Sequence, residues 1–263
     1  MEALASELLG KGHDVRLLAP YDPDDRFARI THKGARPEHR EMPDYLVPLG
    51  RTVGLPMNGA VSNLSVYGEG AATMSRALRQ GRFDVVHVHE PNAPLASWLA
   101  TEWSRSPLVG TFHAYSTGKL ANGIAIGLGA RRLYNRLRVR IAVSEAARWT
   151  AQRFYGGRYR IIPNGVDLSA ALPEPKPSHE QLMLLFLGRA EERKGLPVLL
   201  RAFEALRAAE VSARLVIAGA THEEIEPFLM ETDGIDILGR VSEERKWQLL
   251  HEADVMCAPS LGG

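Results

Sequence analysis

Short, continuous apolar runs alternate along this chain with longer segments whose apolar residues recur every three to four positions. The first such pair is EALASELLGKGHDVRLLAP, which predicts a helix, a glycine stop and a strand from Val15 to Ala19. A polar, proline-containing region follows, from Tyr21 to about Pro43. EGAATMSRALRQG then reads as a helix and FDVVHVHE as a strand, followed by a helix near Ala93 to Trp103 and the strand PLVGTFH. A helical region to about Leu137, the strand VRIAVS, a helix from Ser144 and the short strand YRIIPNGV complete the first half. Strands this short and this apolar, alternating with helices, predict parallel sheets covered by helices on both faces.

The period disappears in DLSAALPEPKPSHE, a proline-rich stretch that reads as a linker. Beyond it the alternation restarts with LMLLFLG, GLPVLLRAFEALRAAE, ARLVIAG, a helix near Glu223 to Met230, IDILG, SEERKWQLLHEA and DVMCAPS. The predicted architecture is α/β, with two Rossmann-like domains at residues 1–166 and 181–263, a linker at 167–180, and a cleft between the domains. The first element is a helix with no strand ahead of it, and the last is a strand and a glycine-rich turn with no helix behind it. Both domains are therefore expected to be incomplete, the second with four strands and an uncovered face.

Bulk properties narrow the chemistry only by exclusion. A chain of 263 residues can bury about 70% or more of its unfolded surface, so it needs no covalent staples. Lys+Arg 32 against Asp+Glu 31 leaves a net charge of +1, which supplies no global field for nucleic acid. Any anion site must be local. The single cysteine, Cys257, excludes an intrachain disulfide framework and fits a reducing compartment. No apolar run reaches the ~20 residues of a membrane-spanning helix, and MEALASELLG lacks the basic start of a secretory leader.

Chemistry-bearing residues cluster where predicted strands end. His87 and His89 lie two apart on one strand face, with Glu90 beside them. A metal pair would need a third ligand that the sequence does not place, so a polar cluster at a cleft is the preferred reading. Asn92 follows at the same end with both donor and acceptor. After the strand ending at Phe112 come His113, Tyr115, Ser116, Thr117 and Lys119, with Gly118 permitting close backbone approach. In open parallel sheets ligands bind outside the carboxyl ends of strands. Arg189 and Lys194 sit where a strand passes into a helix whose amino end already carries about half a positive charge. Cations there oppose the dipole unless an anion, such as a diphosphate, lies between them. Glu191, Glu192 and Arg193 read as solvated loop. The basic segments SRALRQGR and ARRLYNRLRVR read either as solvated faces or as contacts to an anionic membrane.

In this order, HVHEPNAP, GTFHAYSTGK, IAVSEAAR, IIPNGVD, FLGRAEERKG and ADVMCAPSLGG resemble retaining GT-B glycosyltransferases. LPMNGAVSNL and HEPNAP are most similar to the actinobacterial phosphatidylinositol α-mannosyltransferases. The resemblance implies that His113 is the cleft histidine between donor sugar and acceptor phosphate, that Arg189 and Lys194 grip the donor diphosphate, and that Val241 meets the nucleotide base. Asn92 and Lys119 resemble residues that contact the inositol phosphate, the latter after a loop one residue longer. The family's opening strand with Gly-Gly-Val, and the Glu, seven residues, Glu that follow its later Gly-Gly, have no counterpart between Met1 and Gly263.

The implied reaction is transfer of a sugar, mannose from GDP-mannose ahead of a UDP-sugar, to a phosphatidylinositol-type lipid acceptor, so the partners are a nucleotide sugar and a lipid-linked or small-molecule acceptor. It retains anomeric configuration and requires neither metal nor other cofactor; the expected location is cytoplasmic, with the inner face of the plasma membrane as the alternative. A soluble-acceptor transferase, a GT-B nucleotide-sugar epimerase and an inactive nucleotide-binding fragment are the alternatives.

Overall fold

The computed structural model describes residues 1–32, 42–57, 60–65, 68–93, 95–166, 180–229 and 232–260. Its chain divides into two units, Met1–Asn164 and Gly165–Gly263. The proline-rich stretch expected to be a linker lies outside the described residues except for Glu180.

In the first unit the elements are α1 (Glu2–Gly10), β1 (Leu17–Ala19), α2 (Arg26–Thr31), β2 (Leu46–Pro48), β3 (Thr52–Met57), β4 (Ala60–Ser65), α3 (Gly68–Gln80), β5 (Val86–His89), α4 (Ala96–Trp103), β6 (Leu108–Phe112), α5 (Lys119–Gly127), α6 (Ala130–Tyr134), β7 (Leu137–Ala142), α7 (Glu145–Tyr155) and β8 (Arg160–Ile161). The last four strands form one parallel sheet in the order β5-β6-β7-β8. β1 and β2 form a separate parallel pair, and β3 and β4 an antiparallel hairpin.

Residues 21–65 hold the elements that the apolar pattern leaves unread. α2 is a six-residue helix started by Asp25, whose carboxylate accepts from the Ala28 amide at 2.7 Å. In β3, Gly54 and Pro56 break the usual strand composition. A two-stranded ribbon tolerates them because each strand has a free edge.

The core of the first unit joins β5, β6 and β7 to the helices: Val88, Leu108, Phe112 and Leu137 pack with Tyr134, Ala151, Phe154 and Tyr155. Tyr134 is fully buried, and its ring meets Phe112 and Tyr155 edge-on at 5.6 and 5.0 Å between centroids. Its hydroxyl donates to the Pro91 carbonyl at 2.8 Å. That bond fixes the turn after β5, where the first candidate cluster lies.

The second unit comprises β9 (Leu182–Leu187), α8 (Leu196–Ala208), β10 (Ala213–Ala218), α9 (His222–Ile225), β11 (Ile235–Gly239), α10 (Glu243–Glu252) and β12 (Val255–Cys257). All four strands are parallel, in the order β11-β10-β9-β12. β9 lies inside the sheet and buries both faces. Leu184 and Phe186 pack with Leu196, Leu200 and Phe203 of α8, whereas Met183 and Leu185 pack with Leu249 of α10. That alternation gives an apolar run with no polar positions, as expected of a doubly covered parallel strand. The expectation of an uncovered face is corrected: α10 covers it over β9 and β10. The sheet margins are more open: Leu238 of β11 is 41% exposed, and at β12 Val255, level with Leu184 on the α8 face, and Met256, level with Leu185 on the α10 face, are 49% and 52% exposed. The helix expected to reach Met230 ends early because Pro227 turns α9 into a 3-10 turn, Glu226–Phe228.

Candidate functional site

At the carboxyl edge of the first unit's sheet, β5 and β6 end side by side, His89 opposite Thr111. The His87 ring bonds the Thr111 hydroxyl at 2.7 Å, and His89 Nδ1 lies 3.1 Å from His113 Nε2. The His87 and His89 rings stack with centroids 4.1 Å apart. These rings stack instead of converging on a common point, and among the described residues no group of three His, Cys, Asp or Glu is placed to hold a metal.

Glu90 organises this edge. Its backbone takes a left-handed conformation, φ +49°, which is unusual for a side chain with a Cβ. The strain is held by two bonds: Glu90 N–H donates to Thr111 O at 2.8 Å, and Glu90 Oε2 accepts from the His113 amide at 3.0 Å. Burial pushes the Glu90 carboxyl up, while bonds from the His113 and Ala114 amides and from the Asn92 side chain pull it the other way. Glu90 thus ties Asn92 and His113 into one cluster. His89 Nε2, Glu90 Oε1 and Asn92 Oδ1 are buried there without partners among the described residues.

The histidines are neutral near pH 7. Burial, reinforced by the His87 and His113 imidazoles, drives His89 from 6.5 down to about 3. Burial also lowers His113. A neutral His113 can donate from one nitrogen and accept at the other, which suits it to holding a hydroxyl.

This depression has a stability consequence of known sign. With His89 depressed in the folded state, the unfolded chain binds more protons below 6.5, so its contribution to stability is complete above that pH and is lost as pH falls toward 3. Glu90, raised on folding, acts in the opposite sense as pH rises above its ordinary 4.5. We expect His89→Gln to flatten the fall in urea midpoint between pH 7 and 5; an unchanged slope would assign the acid sensitivity elsewhere.

Lys119 is the first residue of α5 and is exposed. Ser116, read from sequence as a cleft residue, is instead a buried anchor for the loop. Its amide donates to the Thr150 hydroxyl at 3.0 Å, and its Oγ accepts from Asn122 at 3.4 Å. Asn122 is held in turn by the Tyr155 hydroxyl at 2.7 Å. These supports come from helices remote in sequence, so no local motif announces them.

Within ARRLYNRLRVR, three arginines serve the fold. Arg131 donates to Phe154 O, Arg136 to Glu102 O and Ser104 O, and Arg140 to Gly156 O and Tyr134 O.

In the second unit, β9 ends at Leu187, and Gly188 and Arg189 carry the chain into a 3-10 turn, Glu192–Lys194, and then α8. The solvated reading of this loop is corrected: Glu191 bridges Arg189 and Arg193 at 2.9 and 2.7 Å and is only 22% exposed in its side chain. Arg189 itself is 54% exposed, and exposed pairs are worth about 0–1 kcal/mol. A stronger anion can therefore displace Glu191 at little cost. Lys194 makes no ion pair among the described residues.

Gly195 caps α8 in the left-handed region, φ +71°, and a Cβ there would lie 2.0 Å from the Pro259 carbonyl oxygen. Pro197 has no N–H, and Val198 already donates to Gly195 O. The amides that this end can offer an anion are accordingly those of Gly195 and Leu196. Val241 lies between β11 and α10 and packs against the core formed by Met183, Leu185, Val216 and Leu249.

One unit thus carries a neutral histidine cluster at a strand edge, and the other carries cations at a strand-to-helix passage. Residues 1–170 match the sequence model of Glycosyltransferase Family 4, and residues 181–263 that of Glycosyl transferases group 1. The chain belongs to glycosyltransferase family 4.

It is 35% identical over 99% of its length to a phosphatidyl-myo-inositol mannosyltransferase of Mycolicibacterium smegmatis, of which it covers 65%. The protein of the same description from Mycobacterium tuberculosis H37Rv is also 35% identical over 99% of this chain, with 66% of that relative covered. The chain therefore spans about two thirds of the length of these relatives. Among solved structures, Anabaena HepE in complex with UDP-glucose superposes with a TM-score of 0.56 at 20% identity, covering 73% of this chain and 57% of that one.

Proposed function

We propose that this chain carries the acceptor-binding half and part of the donor-binding half of a retaining mannosyltransferase, which moves mannose from GDP-mannose to a phosphatidylinositol-type lipid at the cytoplasmic face of the plasma membrane. The observation that carries the reading is the likeness to phosphatidyl-myo-inositol mannosyltransferases over 99% of the chain. The His89–Glu90–His113 cluster lies at the sheet edge where such a site belongs.

In this reading Asn92 and Lys119 meet the inositol phosphate and Val241 the base. His113, kept neutral by burial, accepts or donates a bond to a sugar hydroxyl as the anomeric carbon gains oxocarbenium character. Arg189, Lys194 and the α8 dipole hold the charge that grows on the departing diphosphate, and the departing phosphate takes the acceptor proton. Preorganised donors aimed at developing charge lower the barrier without a metal. The exposed Arg76 and Arg79 of α3 are the residues offered to an anionic membrane surface. Among the described residues no helix is long and apolar enough to cross one.

The test supplies radiolabelled GDP-mannose with phosphatidylinositol vesicles or with free inositol phosphate, and separates products by solvent extraction. Label in the lipid phase supports the reading. Label only on the soluble acceptor would replace the lipid acceptor with a soluble one. Nucleotide binding without transfer to either would reduce the chain to a binding fragment.

A further inference from the structure

Among the described residues, the opposite edge of the first unit's sheet carries a cavity of about 370 Å³ that the transferase reading does not use. It lies at the amino ends of β6 and β7, so β6 runs its whole length between this cavity and His113. Three guanidinium groups line it, those of Arg105, Arg136 and Arg138, beside Ser104 and Ser106.

Most of its other polar groups are already committed. Arg136 donates to the carbonyls of Glu102 and Ser104, closing the carboxyl end of α4, and its Nη1 lies 3.4 Å from the Glu102 carboxylate. The Ser106 hydroxyl donates to Phe83 O at 2.5 Å, and Ser104 Oγ accepts from the Ser106 amide at 3.2 Å. Arg105 and Arg138 differ. Among the described residues neither has an ion pair or a side-chain hydrogen bond. Among the described residues Glu102, 64% exposed in its side chain, is the one carboxylate paired with the three.

The three arginines are exposed at this edge, so solvent screens part of their mutual repulsion, and a bound anion would relieve the rest. Guanidinium forks match phosphate oxygens two at a time, and one fork here is pinned by backbone carbonyls before any ligand arrives. The volume suits a small phosphorylated molecule better than a bulky apolar one.

We propose that the cavity formed by Arg105, Arg136 and Arg138 binds a phosphate group, as a second anion site separate from Arg189 and Lys194. The proposal is independent of which sugar or acceptor the transferase uses.

The experiment titrates the isotopically labelled protein with inorganic phosphate against chloride at equal ionic strength, following the backbone amides of Ser104, Arg105, Ser106, Leu108 and Arg138. Saturable shifts are expected at these positions. The Arg105→Ala/Arg138→Ala double variant should weaken them roughly a hundredfold, the loss of two charge-assisted bonds, and Arg189→Ala should leave them in place. A thermal melt of the double variant, and a second variant with glutamine at both positions, separate loss of binding from loss of fold.

Linear, non-saturating shifts would overturn the proposal. So would saturable shifts that survive both double variants. A response to phosphatidate-containing vesicles with none to free phosphate would also overturn it, making this edge a general charged face.

Discussion

Replacing Arg189 with alanine should lower the rate of sugar transfer about 10²–10³-fold, on the scale of a removed anion-hole donor. Among the described residues its guanidinium is held by Glu191 alone, in a half-exposed pair that contributes little to stability. The thermal midpoint should consequently change little while turnover collapses. Steady-state kinetics with GDP-mannose also separate two ways of losing activity. A fall confined to kcat/KM with unchanged kcat would mean that Arg189 merely binds donor; a fall in both means that its bond strengthens as the diphosphate departs. Unchanged turnover would remove Arg189 from the site. Arg193, the other partner of Glu191, provides the internal contrast, because only Arg189 is assigned to the diphosphate.

Tyr134→Ala should cost about 3–5 kcal/mol of stability, the range for deleting a fully buried aromatic ring. The ring is completely covered and meets Phe112 and Tyr155 edge-on, so its loss opens a void against β6 and α7 together. The hydroxyl adds a separate effect that Tyr134→Phe isolates. That variant keeps the packing but leaves the buried Pro91 carbonyl without its donor, at about 1–3 kcal/mol. Urea unfolding measures both. A cost for the alanine variant no greater than for phenylalanine would show that the hydroxyl bond, and not the ring, secures the β5 turn.

The strand β9 was readable because it is buried on both faces: the unbroken run Leu182–Leu187 has only one good explanation in a parallel sheet. His113 was legible because it follows such a strand directly. α2 and the β3–β4 hairpin were not, since a six-residue helix shows little period and Gly54 and Pro56 disrupt strand composition. The pairing of Glu191 with Arg189 and Arg193 also escaped notice. A loop rich in both signs of charge looks the same in sequence whether its ions point to water or to one another. Ser116 and Glu90 show the converse problem. Each is polar and near the predicted edge, yet one anchors a loop through Thr150 and the other fixes a backbone amide, distinctions that depend on residues 23 and 34 positions away.

The missing Cβ at residue 195 has a mechanical consequence. Because glycine lets the Pro259 carbonyl come so close to the start of α8, the turn after β12 packs directly on the residue that follows the Arg189–Lys194 loop. A ligand that shifts the Arg189–Lys194 loop is expected to disturb that contact, so a spectroscopic label at Ser260 should register occupancy of a loop more than sixty residues earlier in the chain.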